Sequence, residues 1–153
     1  MGLRTKNRIT LGAKILLAIY IVMLIYVCFF SERYGRDIIS DTYRYNLVPF
    51  KEIRRFLVYR ENVGFIAFIE NLFGNVIAFM PFGFFIPVIS PRNRKFLNVL
   101  ALTFLLSLTV ETIQLMLKVG SFDVDDLLLN TLGGITGYAF FAAANYFRRK
   151  RFG

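Results

Sequence analysis

The stretch Phe65–Leu117, FIAFIENLFGNVIAFMPFGFFIPVI-SPRNRK-FLNVLALTFLLSLTVETIQLML, places two long apolar runs on either side of six residues that carry three cations. As helices rising about 1.5 Å per residue, runs of about 20 residues cross the roughly 30 Å of hydrocarbon in a bilayer. A soluble fold of 153 residues buries a good core but has no room to hide such runs. The stretch therefore reads as a membrane hairpin. Two further runs flank it, Leu11–Phe30 and Leu127–Phe147. The first follows Arg4, Lys6, Arg8 and Lys14, as a signal peptide would, but it is long and lacks an Ala-x-Ala site, so it reads as an uncleaved signal anchor. The expected fold is an all-α membrane protein, one domain over residues 1–153, with four transmembrane helices at about 11–30, 65–89, 96–117 and 127–147.

Charge orients this bundle. Only 19% of residues are charged, below the roughly 25% of soluble domains. The net charge is +9, and its distribution explains it. The amino-terminal segment, the Ser90–Lys95 loop (Arg92, Arg94, Lys95) and the tail (Arg148, Arg149, Lys150, Arg151) contain no acid, and all ten acidic residues lie in the spans or in the alternate connections. Lysine and arginine in short loops stay on the cytoplasmic side. Both termini are expected in the cytoplasm, with a long outer loop, Ser31–Gly64, between helices 1 and 2. The basicity is thus a topology signal for the cytoplasmic membrane, and no nucleic-acid partner is expected.

Histidine is absent and Cys28 is the single cysteine, which excludes an internal disulfide, a Cys/His zinc site and a histidine triad. No metal or cofactor is expected, and Cys28 reads as a lipid-facing thiol. In the outer loop, Asn46-Leu-Val-Pro-Phe50 should be extended, because residues before proline avoid the helical region. Ile53, Phe56 and Leu57 then predict a short helix over Lys51–Tyr59, lying on the membrane surface with Arg54, Arg55 and Arg60 towards head groups, or simply exposed.

Polar residues in a bilayer turn towards the bundle interior, so they mark the packed faces. Asn71, Gly74, Asn75 and Ala78 form one stripe; Thr103, Ser107, Glu111, Gln114 and Lys118 a second; Asp126, Asn130, Gly133, Gly134 and Gly137 a third, whose glycines allow close helix approach. By depth, Asn71, Glu111, Gln114 and Asn130 meet near the outer boundary. Asp123-Val-Asp125-Asp126 precedes the last span, where at least one aspartate, Asp125 or Asp126, should cap that helix. The candidate ligand-binding cluster is Asn71, Asn75, Glu111, Gln114, Asp123, Asp125, Asp126 and Asn130. Interhelical hydrogen bonding is the plainer role for the amides, and a ligand role attaches chiefly to Glu111 and the aspartates. No catalytic residue is identified. Pro81 and Pro87 would kink the second span.

The ordered set Asn46-Leu-Val-Pro-Phe50, Asn71-Leu-Phe-Gly-Asn75, Phe79-Met-Pro-Phe-Gly-Phe84, Glu111-Thr-Ile-Gln114, Phe122-Asp-Val-Asp-Asp126 and Asn130-Thr-Leu-Gly-Gly134 resembles the VanZ-like family of bacterial membrane proteins, over about residues 44–147. Many members have an arginine just before the acidic motif, where this chain has Gly120-Ser121. The resemblance implies a setting in the cell envelope and in the response to glycopeptides such as teicoplanin. Three functions fit it: binding of an envelope amphiphile, a cell-wall lipid precursor or lipid-anchored glycopeptide, in the outer leaflet; a carboxylate-dependent enzyme at the membrane surface; or a small proton- or ion-coupled transporter. The last would require a homo-oligomer, with Gly133–Gly137 as one possible contact face.

Overall fold

The computed structural model describes residues 3–31, 41–58 and 65–152. In chain order these form α1 (Leu3–Phe29), β1 (Arg44–Asn46), α2 (Lys51–Val58), α3 (Phe65–Ile89), a 3-10 turn (Pro91–Asn93), α4 (Phe96–Leu117), β2 (Ser121–Asp123) and α5 (Val124–Phe152). Four of the helices are long and apolar enough to cross a membrane. The apolar runs fix α3 and α4 at the expected bounds. By contrast α1 and α5 outrun them, because arginine and lysine at their ends are good helix formers and helix does not stop where hydrocarbon does.

The outward faces are apolar. In α1, Ile15, Ile19, Val22, Met23 and Tyr26 are all exposed. A continuous face of this kind is unfavourable in water and suits lipid. The protein is a multi-pass membrane protein. Its ends are unlike: one carries the start of α1, the Ser90–Lys95 connection and the end of α5, and holds bases without acids; the other carries β1, α2, β2 and the Asp123–Asp126 run, where acidic and basic residues are mixed.

Leu24, Phe79 and Val110 join α1, α3 and α4 in a small core, flanked by Tyr20, Cys28 and Leu106. The Tyr20 hydroxyl donates to the Ala78 carbonyl at 2.7 Å, in the turn before Pro81. Cys28 therefore packs inward against this core, which corrects the lipid-facing assignment. Helix α3 continues through both Pro81 and Pro87.

Glycine sets the contact between α3 and α5. A Cβ at Gly137 would lie 1.9 Å from the Met80 carbonyl oxygen, at Gly133 2.2 Å from that of Val76, and at Gly83 1.9 Å from that of Gly134. The two backbones touch, as small residues permit where lipid supplies no hydrophobic drive for helix association. The Gly133–Gly137 face is therefore filled by α3 of the same chain, and by Thr103 of α4, and is not open to a second copy.

The fold is not wholly helical. β1 and β2 pair in parallel, with Arg44 opposite Ser121, Tyr45 opposite Phe122 and Asn46 opposite Asp123. Three-residue strands are too short to read from alternation, and the partner lies more than seventy residues away. The extended segment also ends sooner than expected. Lys51 N–H reaches the Val48 carbonyl, and Phe50, after Pro49, has φ of 62°, the left-handed geometry of the third residue of a type II turn.

Candidate functional site

Asp125 lies within the first turn of α5 and is 1% exposed. Its carboxylate does not cap its own helix. Oδ1 accepts the Phe50 N–H, and Oδ2 accepts those of Glu52 (2.8 Å) and Ile53 (3.1 Å). The buried carboxylate thus caps α2, satisfying amides at its start that have no partner within the helix and placing negative charge at its positive end. The short helix, exposed over much of its length, is tied to the bundle by the Asp125 side chain. Glu52 pairs with Arg55 at 2.6 Å on its outer side.

The capping expected for α5 falls to Asp123. Its Oδ1 accepts the Asp125 N–H at 2.8 Å, the N2 amide of the helix, and also Asn46 Nδ2 at 3.1 Å. Burial holds the Asp123 carboxyl above the usual carboxylate range; these two bonds pull the other way, and the Asp125 and Glu52 charges add to the rise. The folded state therefore holds this proton to higher pH than the unfolded chain does. That contribution to stability is present below the unfolded value, near 4, and is lost as pH rises through the folded one. Asp123→Asn keeps an acceptor oxygen and removes the titration, so the mutant should gain on wild type as pH rises from about 4 to 7. Thermal unfolding in detergent across that range checks it; parallel pH profiles would refute it.

Glu111, 3% exposed on α4, accepts the Asp123 N–H through Oε2 at 3.1 Å. Glu111, Asp123, Asp125 and Asn46 thus form one network. Lys118 Nζ donates to the Asp41 carbonyl at 3.3 Å and lies 4.8 Å from the Tyr43 ring centre. Its backbone closes α4 in the left-handed conformation.

The amides of the expected cluster act as clamps between helices. Asn75 Nδ2 donates to Asp126 Oδ1 at 2.6 Å (α3 to α5), Asn130 Nδ2 to Ser107 Oγ at 2.9 Å (α5 to α4), and Gln114 Nε2 to the Cys28 carbonyl at 2.8 Å (α4 to α1). Among the described residues, Gln114 Oε1 and Asn130 Oδ1 are buried without a hydrogen-bond partner. Asn71 lies on α3, but its side chain is outside the described residues, as are Arg33, Arg36 and Arg60 of the loop. Among the described residues no three Asp, Glu or Cys side chains group as metal ligands would.

Two participants escape an analysis by stripes. Asn46, 8% exposed, bonds Asp123 and accepts the Val48 N–H at 3.2 Å, an Asx turn ahead of Pro49. An asparagine two residues before a hydrophobic-proline pair is the signal that finds it. Phe50 is the other, and nothing in its chemistry announces it.

The VanZ/LLP1 family model matches residues 17–145, so the relationship takes in about the carboxyl-terminal half of α1 as well as the motif-bearing region. Protein VanZ of Enterococcus faecium is 32% identical over 135 residues, covering 85% of this chain and 73% of that protein. No solved structure matches the chain significantly. A family match over residues 17–145, with a relative 32% identical across most of the chain, makes this chain a member of the VanZ-like family.

Proposed function

We propose that the protein binds a cell-envelope amphiphile at the outer leaflet and contributes in this way, without catalysing a reaction, to glycopeptide tolerance. Positive-inside orientation puts the end that holds the carboxylate network outward. There Tyr43, Tyr45, Leu47, Val48 and Phe50 are exposed in one short segment, beside the exposed cations Arg44, Arg54 and Arg55. Aromatic and aliphatic groups next to guanidiniums suit an amphiphile whose head group carries phosphate. The observation that carries the reading is Phe50. A bulky residue in the left-handed region costs on the order of 1–3 kcal/mol, yet it is 63% exposed and its amide is fixed by the buried Asp125. Strain kept for an exposed ring is better explained by use of the ring than by packing. An enzymatic reading is less favoured, since both Asp125 oxygens and one of Asp123 are occupied by amide donors.

Phe50→Gly separates the two roles. Glycine relieves the strain and loses more entropy on folding, so stability should stay within about 1 kcal/mol of wild type. In a teicoplanin-sensitive bacterium expressing the protein at equal membrane levels, this variant should lower tolerance towards that of cells without it. Full tolerance in the stable variant would remove the proposal's main support.

A further inference from the structure

At the basic end, far from the carboxylate network, proline chemistry fixes an arginine. The Pro87 carbonyl would ordinarily accept the amide four residues on, but that residue is Pro91 and has no N–H. Arg94 Nε takes its place at 3.1 Å. The Tyr138 hydroxyl donates to the Arg94 carbonyl at 2.9 Å, and the guanidinium stands 6.0 Å from the Phe141 ring centre. The Pro87 bond uses Nε alone, so both terminal nitrogens keep their donors.

Arg94 held in this way borders a crevice of about 530 Å³ between the start of α1 and the ends of α3 and α5. Its walls are mainly apolar, with Ile9, Phe84, Val88 and Phe141; its polar members include Arg94, Asn145 and Arg148. The volume lies within the range of small-molecule sites. Arg148 donates to Asn145 Oδ1 at 2.7 Å, which orients it but does not neutralise it. No Asp or Glu occurs in 3–31, 71–110 or 127–152, the segments that build this end, so they offer the two guanidiniums no acidic side chain. The tail adds Arg149, Lys150 and Arg151 nearby in sequence.

We propose that this crevice seats one anionic phospholipid of the adjacent leaflet, with its phosphate between Arg94 and Arg148 and a chain along Phe84, Val88 and Phe141. Charge complementarity selects the occupant. Guanidiniums pair with phosphate oxygens through paired hydrogen bonds, and basic pockets between transmembrane helices suit anionic head groups. A zwitterionic lipid offers the same chains but brings a cation into a site that already has two. Free phosphate would leave the apolar walls unused.

Native mass spectrometry of the full-length protein in detergent tests this, with palmitoyl-oleoyl phosphatidylglycerol, the matching phosphatidylcholine and inorganic phosphate as probes. One phosphatidylglycerol should be retained about tenfold more tightly than phosphatidylcholine. Arg148→Gln, an exposed change that leaves the core untouched, should reduce that preference about fivefold. Val88→Trp should fill the crevice and weaken both lipids, whereas Lys150→Gln should retain the wild-type preference. Equal binding of the two lipids, an unaltered preference in Arg148→Gln, or displacement of phosphatidylglycerol by millimolar inorganic phosphate would each overturn it.

Discussion

Asp125→Ala should release α2 from the bundle while leaving the four long helices assembled. Three amide donors lose their acceptor at once: Phe50, Glu52 and Ile53. Hydrogen bonds to a charged group contribute about 1.5–3 kcal/mol each in isolation, but they are not additive here, because a detached segment recovers water. An eight-residue helix has little stability alone, since nucleation is unfavourable and isolated helices shorter than about 12 residues are marginal. The expected outcome is therefore local unfolding, at a global cost of about 2–4 kcal/mol. Hydrogen exchange followed by mass spectrometry should show protection lost over residues 44–58 and kept in α3, α4 and α5. Asp125→Asn should fall between, because a single amide oxygen cannot serve both the Phe50 side and the Glu52–Ile53 side. Full protection of 44–58 in Asp125→Ala would mean that something other than this carboxylate holds the segment. Phe50 depends on the same anchor, so glycopeptide tolerance should fall with the loss of protection.

What could be seen in advance follows from how each feature is encoded. Apolar length and stripe spacing are local properties, and they place α3 and α4 at Phe65–Ile89 and Phe96–Leu117 and put Thr103, Ser107, Glu111 and Gln114 on a buried face. Depth counting along helices brings Glu111 near the start of α5, where its carboxylate reaches the Asp123 amide. The pairing of β1 with β2 depends on two three-residue segments that carry no period, so it was not legible. Asp125 shows the limit most clearly. A carboxylate in the first turn of a helix has a local explanation in its own dipole, and nothing in the sequence says that a second helix start, more than seventy residues earlier, will take it instead. The glycines of α5 signalled close approach, but not to which neighbour.

That neighbour makes glycine substitution the other large effect. Gly137→Ala puts a methyl 1.9 Å from the Met80 oxygen and 2.9 Å from the Phe84 nitrogen; both are backbone atoms, so no side-chain rotation relieves the clash. Gly83→Ala meets the Gly134 backbone in the same way. Overpacking a core costs about 1–3 kcal/mol when side chains can adjust, and parting two backbones should take about 3 kcal/mol or more. Gly74, on the same helix as Gly83, provides the contrast, because a Cβ there meets nothing within 4 Å. Gly74→Ala should stabilise α3 by about 0.5–1 kcal/mol through helix propensity alone. Thermal unfolding in detergent should therefore lower the midpoint sharply for Gly83→Ala and Gly137→Ala and raise it slightly for Gly74→Ala. Combining Gly83→Ala with Gly137→Ala should cost less than the two single changes together, since helices already parted by one methyl accommodate the second. If Gly74→Ala and Gly137→Ala behave alike, the backbone contact between α3 and α5 is not what holds the bundle. If they diverge as expected, the glycine-lined contact also fixes the α5 amino terminus, and with it the height at which Asp123 and Asp125 reach Asn46 and Phe50.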